Sequence, residues 1–202
     1  MDGINWRFTD RFGSHWIKVK FYKEKPALKE TQKLKRVRFC EATKEAIKYP
    51  VLLDKDSISC PGAQYAFGWN SNYKSKLLND CADKRQVPAR ILKSMFSRAP
   101  YFKKPFEYIG LNTEGGPDLI MSYMPPEGIM NLIKMYNDIY GKNLDVSLCS
   151  MMPICGGIAV KTYLKGEISL SFGCDDSRTF SDIRRDNLVI GIPKNLFKAF
   201  ID

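Results

Sequence analysis

The sequence predicts a single compact α/β domain over residues 1–202, with a mixed, partly parallel sheet flanked by helices. Three observations lead there. Segments with the two-residue apolar alternation of a strand take turns with segments of helical apolar spacing along the whole chain. Apolar residues make up 44% of the chain and aromatics 12%, enough to bury a real core and to exclude a disordered polymer. No repeat or low-complexity stretch breaks the succession.

Taken in order, residues 15–22, from His15 to Tyr22, alternate apolar and polar as a half-buried strand does. A charged connection containing Pro26 follows. Phe39, Ala42, Ala46 and Ile47 share one helical face, and Pro50 limits that helix. Val51 to Leu53 is a short apolar strand. Pro61 then opens a helix through Ala63, Ala66 and Phe67, stopped at Gly68. Residues 70–86 are polar with little periodicity and read as an excursion or lid. Pro88 to Ser97 is helical, with Ile91, Leu92, Met95 and Phe96 as its buried stripe. Strands at 106–111 and 118–124 flank the turn from Asn112 to Pro117. Pro125 and Pro126 open the clearest helix, with Ile129, Met130, Leu132, Ile133 and Tyr136 at helical spacing and Gly141 as the stop. That methionine and aromatic stripe reads as core. Leu144 to Leu148 returns as a strand, Gly156 to Leu164 as a short helix ended by Gly166, and Glu167 to Phe172 as a strand. The strand from Leu188 to Pro193 and the helix from Lys194 to Ile201 close the chain.

No apolar run nears the roughly 20 residues of a membrane span. Met1 to Trp6 lacks the basic-then-apolar order of a secretory signal, so a cytoplasmic protein is expected. The formal net charge of +10 admits nucleic acid or an acidic partner, and much of the excess lies before Lys48. No nucleic-acid motif accompanies those lysines, so they read as a solvated face and nucleic-acid binding is not expected.

A reducing compartment keeps the six cysteines for metal, chemistry or packing rather than disulfides. His15 is the single histidine, so any transition-metal site must be rich in thiolate. Four cysteines stand at predicted helix starts. Cys60 precedes Pro61, Cys155 precedes Gly156 and Gly157, Cys174 precedes the capping types Asp175 to Ser177, and Cys40 lies near the start of the helix carrying Ala42. A thiol there meets unpaired amides and the positive end of the helix dipole, which favour thiolate and can hydrogen-bond cluster sulfurs. In a partly parallel sheet such starts gather at the carboxyl ends of the strands, so the four thiols are expected to converge.

Arg38 and Arg178, two and four residues from candidate ligands, are expected to offset the charge of a four-thiolate site. Cys81 and Cys149 read as bystanders. No Cys-x-x-Cys occurs, which leaves neither a ferredoxin run nor a zinc ribbon. Asp118 reads as part of a turn, and neither glycine pair, Gly115-Gly116 nor Gly156-Gly157, forms a phosphate loop.

One further pattern is shared. Val19 to Phe21, Arg38 to Glu41, Ile58 to Ala63 and Pro117-Asp118, followed by Cys155, Ser169 to Cys174 and Ile190 to Pro193, come in the order of the archaeal and bacterial domain-of-unknown-function family 169. The chain resembles that family from about Trp16 to its C-terminus. The resemblance implies cysteines at the positions of Cys40, Cys60, Cys155 and Cys174, and it brings no assigned activity. Family members often read Gly-Cys-x-Gly-Cys-Arg where this chain has Gly173 to Arg178. Ser177 in place of a second cysteine argues against a dithiol redox pair in that loop.

The expected function is therefore an iron–sulfur protein. Cys40, Cys60, Cys155 and Cys174 would hold one [4Fe–4S] cluster, in a redox or accessory role in anaerobic metabolism with a redox protein as partner. A structural Cys₄ zinc site is the alternative, and a metal-free enzyme or ligand-binding protein using Cys60, Cys174 and Arg178 is another. Four thiolates would saturate a cluster, which favours electron transfer over Lewis-acid chemistry. No catalytic residue is assigned.

Overall fold

The computed structural model describes residues 12–148, 151–181, 184 and 186–201; Cys149 lies outside them. The chain enters as β1 (Trp16–Tyr22), then α1 (Phe39–Glu45), β2 (Val51–Leu53) and α2 (Pro61–Ala66). A helical hairpin follows, α3 (Tyr73–Arg85) and α4 (Ala89–Arg98), before β3 (Tyr108–Leu111), β4 (Leu119–Met124) and α5 (Pro126–Tyr140). A π-helical turn (Cys155–Val160) runs directly into α6 (Lys161–Lys165). The last elements are β5 (Ser169–Ser171), α7 (Asp175–Phe180), β6 (Leu188–Pro193) and α8 (Lys194–Ile201).

The six strands form one sheet in the order β2-β3-β1-β4-β6-β5, and every neighbouring pair is antiparallel. The expected partly parallel sheet is thus corrected. Alternation of helix and strand along the chain fixes which elements follow one another, not which strands become neighbours. Here β3 and β4 point the same way, but β1 lies between them and runs against both. Among the described residues, parallel pairing is confined to two isolated bridges, Gln32 with Val51 at the start of β2 and Val37 with Ile58.

The central strand is paired in two halves. Residues 16–19 of β1 meet β4, and residues 19–22 meet β3. Each half leaves a backbone amide of β1 beyond the end of one neighbour, and the connection from β3 to β4 supplies the missing acceptors. The side chain of Asn112 accepts from the Lys18 amide and that of Asp118 from the Phe21 amide, both at 2.8 Å. The turn residue Asp118 therefore closes the sheet.

Alternation along the strands gives the sheet two buried faces. Ile17, Val19 and Phe21 join Leu53, Leu111, Met121 and Val189 in a core shared with α1, α2, α4 and the π-turn. Trp16, Ile120, Met124, Ile190 and Ile192 pack on α5 and α8 on the other side. On the first face the rings pack tightly: Phe21 lies 5.0 Å from both Phe102 and Tyr163, and Phe39 lies 4.9 Å from Phe67.

Three local expectations change. The polar excursion at 70–86 is mostly helix, α3, whose adjacent Leu77 and Leu78 pack on the core without a clean stripe. It ends at Gln86, in the left-handed region at φ 52°. Residues 144–148 form no strand. The helix expected from Gly156 starts as a π-turn and becomes α-helical only at Lys161, ending as foreseen at Gly166 with φ 64°.

Gly191 of β6 lets this turn lie flat on the sheet. A Cβ there would collide with Thr162 Oγ1 and come within 2.9 Å of Ile158 Cγ2. Gly191→Ala is expected to destabilise the fold by about 1–3 kcal/mol through overpacking, read as a lower urea midpoint with an unchanged slope.

Candidate metal centre

The helical layer over the first face brings four helix starts together. Cys40 is the second residue of α1, behind Arg38, whose amide donates to the Glu41 carboxylate at 3.2 Å. Cys60 is the N-cap of α2, ahead of Pro61. Cys155 opens the π-turn. Cys174 caps α7 reciprocally with Ser177: its sulfur accepts from the Ser177 amide at 3.4 Å, and its own amide donates to Ser177 Oγ at 2.7 Å. All four line one cavity of about 410 Å³. They do not meet at the carboxyl ends of parallel strands. They meet because their elements cover the same face of an antiparallel sheet.

The cavity wall is apolar below and charged at the edge. Phe39, Phe96, Met151 and Met152 supply the apolar part. Three cations, Arg38, Lys84 and Arg85, face three carboxylates, Asp80, Asp175 and Asp176. Cys81 of α3, expected to be a bystander to the four thiols, also lines it. Its helix lacks the apolar rhythm that would have flagged the position.

The two arginines part company. Arg38 lines the cavity, with its guanidinium 3.7 Å over the Phe180 ring and its Nε 3.8 Å from Asp176. Arg178 is not part of the wall. Its guanidinium donates to the carbonyls of Phe172 at 2.6 Å, Arg184 at 2.9 Å and Asn187 at 3.3 Å, which ties down the chain on either side of α7.

The backbone is strained where it serves the cavity. Met152, three residues before Cys155, has φ 50°, unusual for a side chain of its size. Its carbonyl accepts from the Gly156 and Gly157 amides at 2.8 and 3.0 Å, which shapes the π-turn. A Cβ on Gly156 would come within 2.9 Å of the Pro100 carbonyl oxygen, and one on Gly62 within 3.3 Å of Met152 Cγ. Two glycines, one and two residues after candidate ligands, thus permit the close approach.

Electrostatics run against the expectation from helix starts. Burial pushes the Cys40 thiol up to about 12, and the Cys174 and Cys60 sulfurs add to the rise against the Glu41 amide. Burial also raises Cys60, with the Ala63 and Gly62 amides opposing and Cys174 and Asp176 reinforcing. Cys155 stands well above its ordinary range, first through burial and then through Cys60, Cys174 and Cys40. Desolvation outweighs the amides, so these three thiols are protonated near neutral pH. Their mutual influence also shows that the sulfurs lie within electrostatic reach of one another.

A metal fits this donor set on chemical grounds, because a soft cation reverses the repulsion among thiolates. Among the described residues, no three His, Cys, Asp or Glu side chains are grouped to hold one ion. A tetrahedral zinc with Zn–S of ~2.3 Å needs sulfurs about 3.8 Å apart. A four-iron cluster gives each thiolate its own iron and so takes ligands set farther apart.

One link was invisible in the sequence. Thr43 Oγ1 donates to the Cys40 carbonyl at 2.7 Å and is hydrogen-bonded to the buried Tyr123 hydroxyl. The single threonine proton faces Cys40, so Tyr123 donates to Thr43. Burial raises the Tyr123 phenol, keeping it protonated for this role, and Cys40 and Cys174 both add to the shift. A sheet residue thereby fixes the start of α1.

A family profile described as "Uncharacterised ArCR", domain-of-unknown-function family 169, matches residues 13–202. No curated protein and no solved structure matches the chain.

Tyr123→Phe removes the donor to Thr43 and is expected to cost about 1–2 kcal/mol in denaturant unfolding, with faster loss of any bound metal to a chelator. The raised thiols also give the metal-free protein a signed pH dependence. Cys40 ionises near its ordinary 9.0 when unfolded and near 12 when folded, so the folded state holds its proton longer. Its contribution to stability is full below about 9 and is lost as pH rises toward about 12. Urea midpoints measured across that window should fall with pH, and less steeply in Cys40→Ala.

Proposed function

The chain belongs to this uncharacterised family, and for it we propose an iron–sulfur protein with one [4Fe–4S] cluster on Cys40, Cys60, Cys155 and Cys174. The observation that carries the reading is the convergence of these four thiols, each from a separate helix start, on one cavity. When bound, such a cluster supplies a one-electron couple. The chain's own residues do the rest. The Ser177 amide, already donating to the Cys174 sulfur at 3.4 Å, remains available to a thiolate there and stabilises the reduced form. Phe39, Phe96, Met151 and Met152 keep water from the buried side. Strain at Met152 and a π-turn beside a candidate ligand are features that concentrate at working sites. Four cysteines leave every iron ligated, which favours passing or sensing electrons over binding a substrate at the metal.

Purification without oxygen, with iron, sulfide and zinc quantified together, tests this. A brown protein with broad absorbance near ~400 nm and iron and sulfide in roughly equal amounts is expected. Each single Cys→Ala change at the four positions should lower iron content severalfold, whereas Cys81→Ala should leave it nearly unchanged. Zinc without a chromophore would select the structural zinc site. A colourless, metal-free preparation would refute both.

A further inference from the structure

Half of the chain's net positive charge is concentrated on the hairpin that walls the cavity. Residues 73–98 contain seven lysines and arginines against two aspartates, a net +5 within the chain's +10. The hairpin has two sides. Inward, Leu77, Cys81 and Phe96 face the cavity. Outward, Lys74, Arg90, Lys93 and Arg98 are exposed, while the exposed Lys84 and Arg85 stand at the cavity's edge. Within the two helices Ile91 is the large apolar side chain left exposed, at 51%.

We propose that this outer face of α3 and α4 docks a small acidic electron-carrier protein, which exchanges one electron with the cysteine centre behind it. The inference rests on the redox reading above. Charge complementarity selects an acidic partner and speeds its encounter. Position selects an electron carrier: a protein seated here is separated from the thiols by one helix, about 10 Å across. An exposed isoleucine amid cations suits a small, transient interface with a polar rim. Single-stranded nucleic acid is disfavoured because these helices present no exposed aromatic platform for stacking bases. In the transfer, the reduced carrier loses one electron and the oxidised centre gains it, and no atom or proton need move.

The test uses the full chain and a small acidic ferredoxin as probe, with a variant carrying Arg90→Glu, Lys93→Glu and Arg98→Glu. None of these three residues lines the cavity, and all three are exposed. Binding is read by fluorescence anisotropy, which needs no metal. Affinity should fall roughly tenfold between about 50 and about 300 mM salt and by a similar factor in the variant. Stopped-flow reduction by the same ferredoxin should slow correspondingly in the variant, while reduction by methyl viologen, which needs no docking surface, should stay within about twofold. Equal ferredoxin affinity in variant and wild type, or affinity indifferent to salt, overturns the proposal. So does a labelled oligonucleotide that binds more tightly than the ferredoxin and is lost in the variant. If viologen finds no reducible centre, the iron–sulfur reading fails by itself, and ferredoxin binding still decides the docking surface.

Discussion

Buried thiols cannot all be ionised together unless something positive sits among them. That constraint governs the cysteine cavity. Cys40, Cys60 and Cys155 each raise one another's proton affinity or have it raised by Cys174, on top of a larger effect of burial. Left metal-free, the cavity holds Cys40, Cys60 and Cys155 as protonated thiols. A cationic group inverts the balance, because each proton released is replaced by a metal–sulfur bond. Protein charges do not perform this inversion, since Arg38, Lys84 and Arg85 are matched by Asp80, Asp175 and Asp176 around the wall.

The antiparallel sheet makes the cavity by giving one face to every cysteine-bearing element. β1 is the hinge of that arrangement, paired in halves to β3 and β4, with Asn112 and Asp118 completing its hydrogen bonds. From the sheet, Tyr123 reaches through Thr43 to the Cys40 carbonyl, and Gly191 lets the π-turn carrying Cys155 settle closely. The position of two thiols thus depends on residues of β4 and β6 that never touch a sulfur.

Sequence periodicity revealed elements better than their arrangement. The strand at 16–22 was legible because its alternation is strict, and α5 because its apolar stripe and terminal glycine agree. Strand direction was not, because alternation of types carries no information about which strand slips between two others. α3 was hidden by its composition: polar residues dominate, and Leu77 and Leu78 are neighbours rather than a helical step apart. The place of Cys81 on the cavity wall was hidden with it. Helix starts at the cysteines were readable from Pro61 and the Asp175 to Ser177 run. The thiolate character inferred from them was not secure, because burial depends on packing that no local signal encodes. Arg178 illustrates the same limit, since closeness in sequence to Cys174 placed it on neighbouring carbonyls rather than at the cavity.

The candidate ligands run from residue 40 to residue 174 of a 202-residue chain. Closing so long a loop is an entropic burden that only a nearly finished tertiary structure offsets. During synthesis, the final corner of the cavity is therefore missing until β5 and α7 have emerged from the ribosome. Any ligand that needs all four thiols at once therefore meets the finished fold, and not a nascent peptide that folds around its cargo.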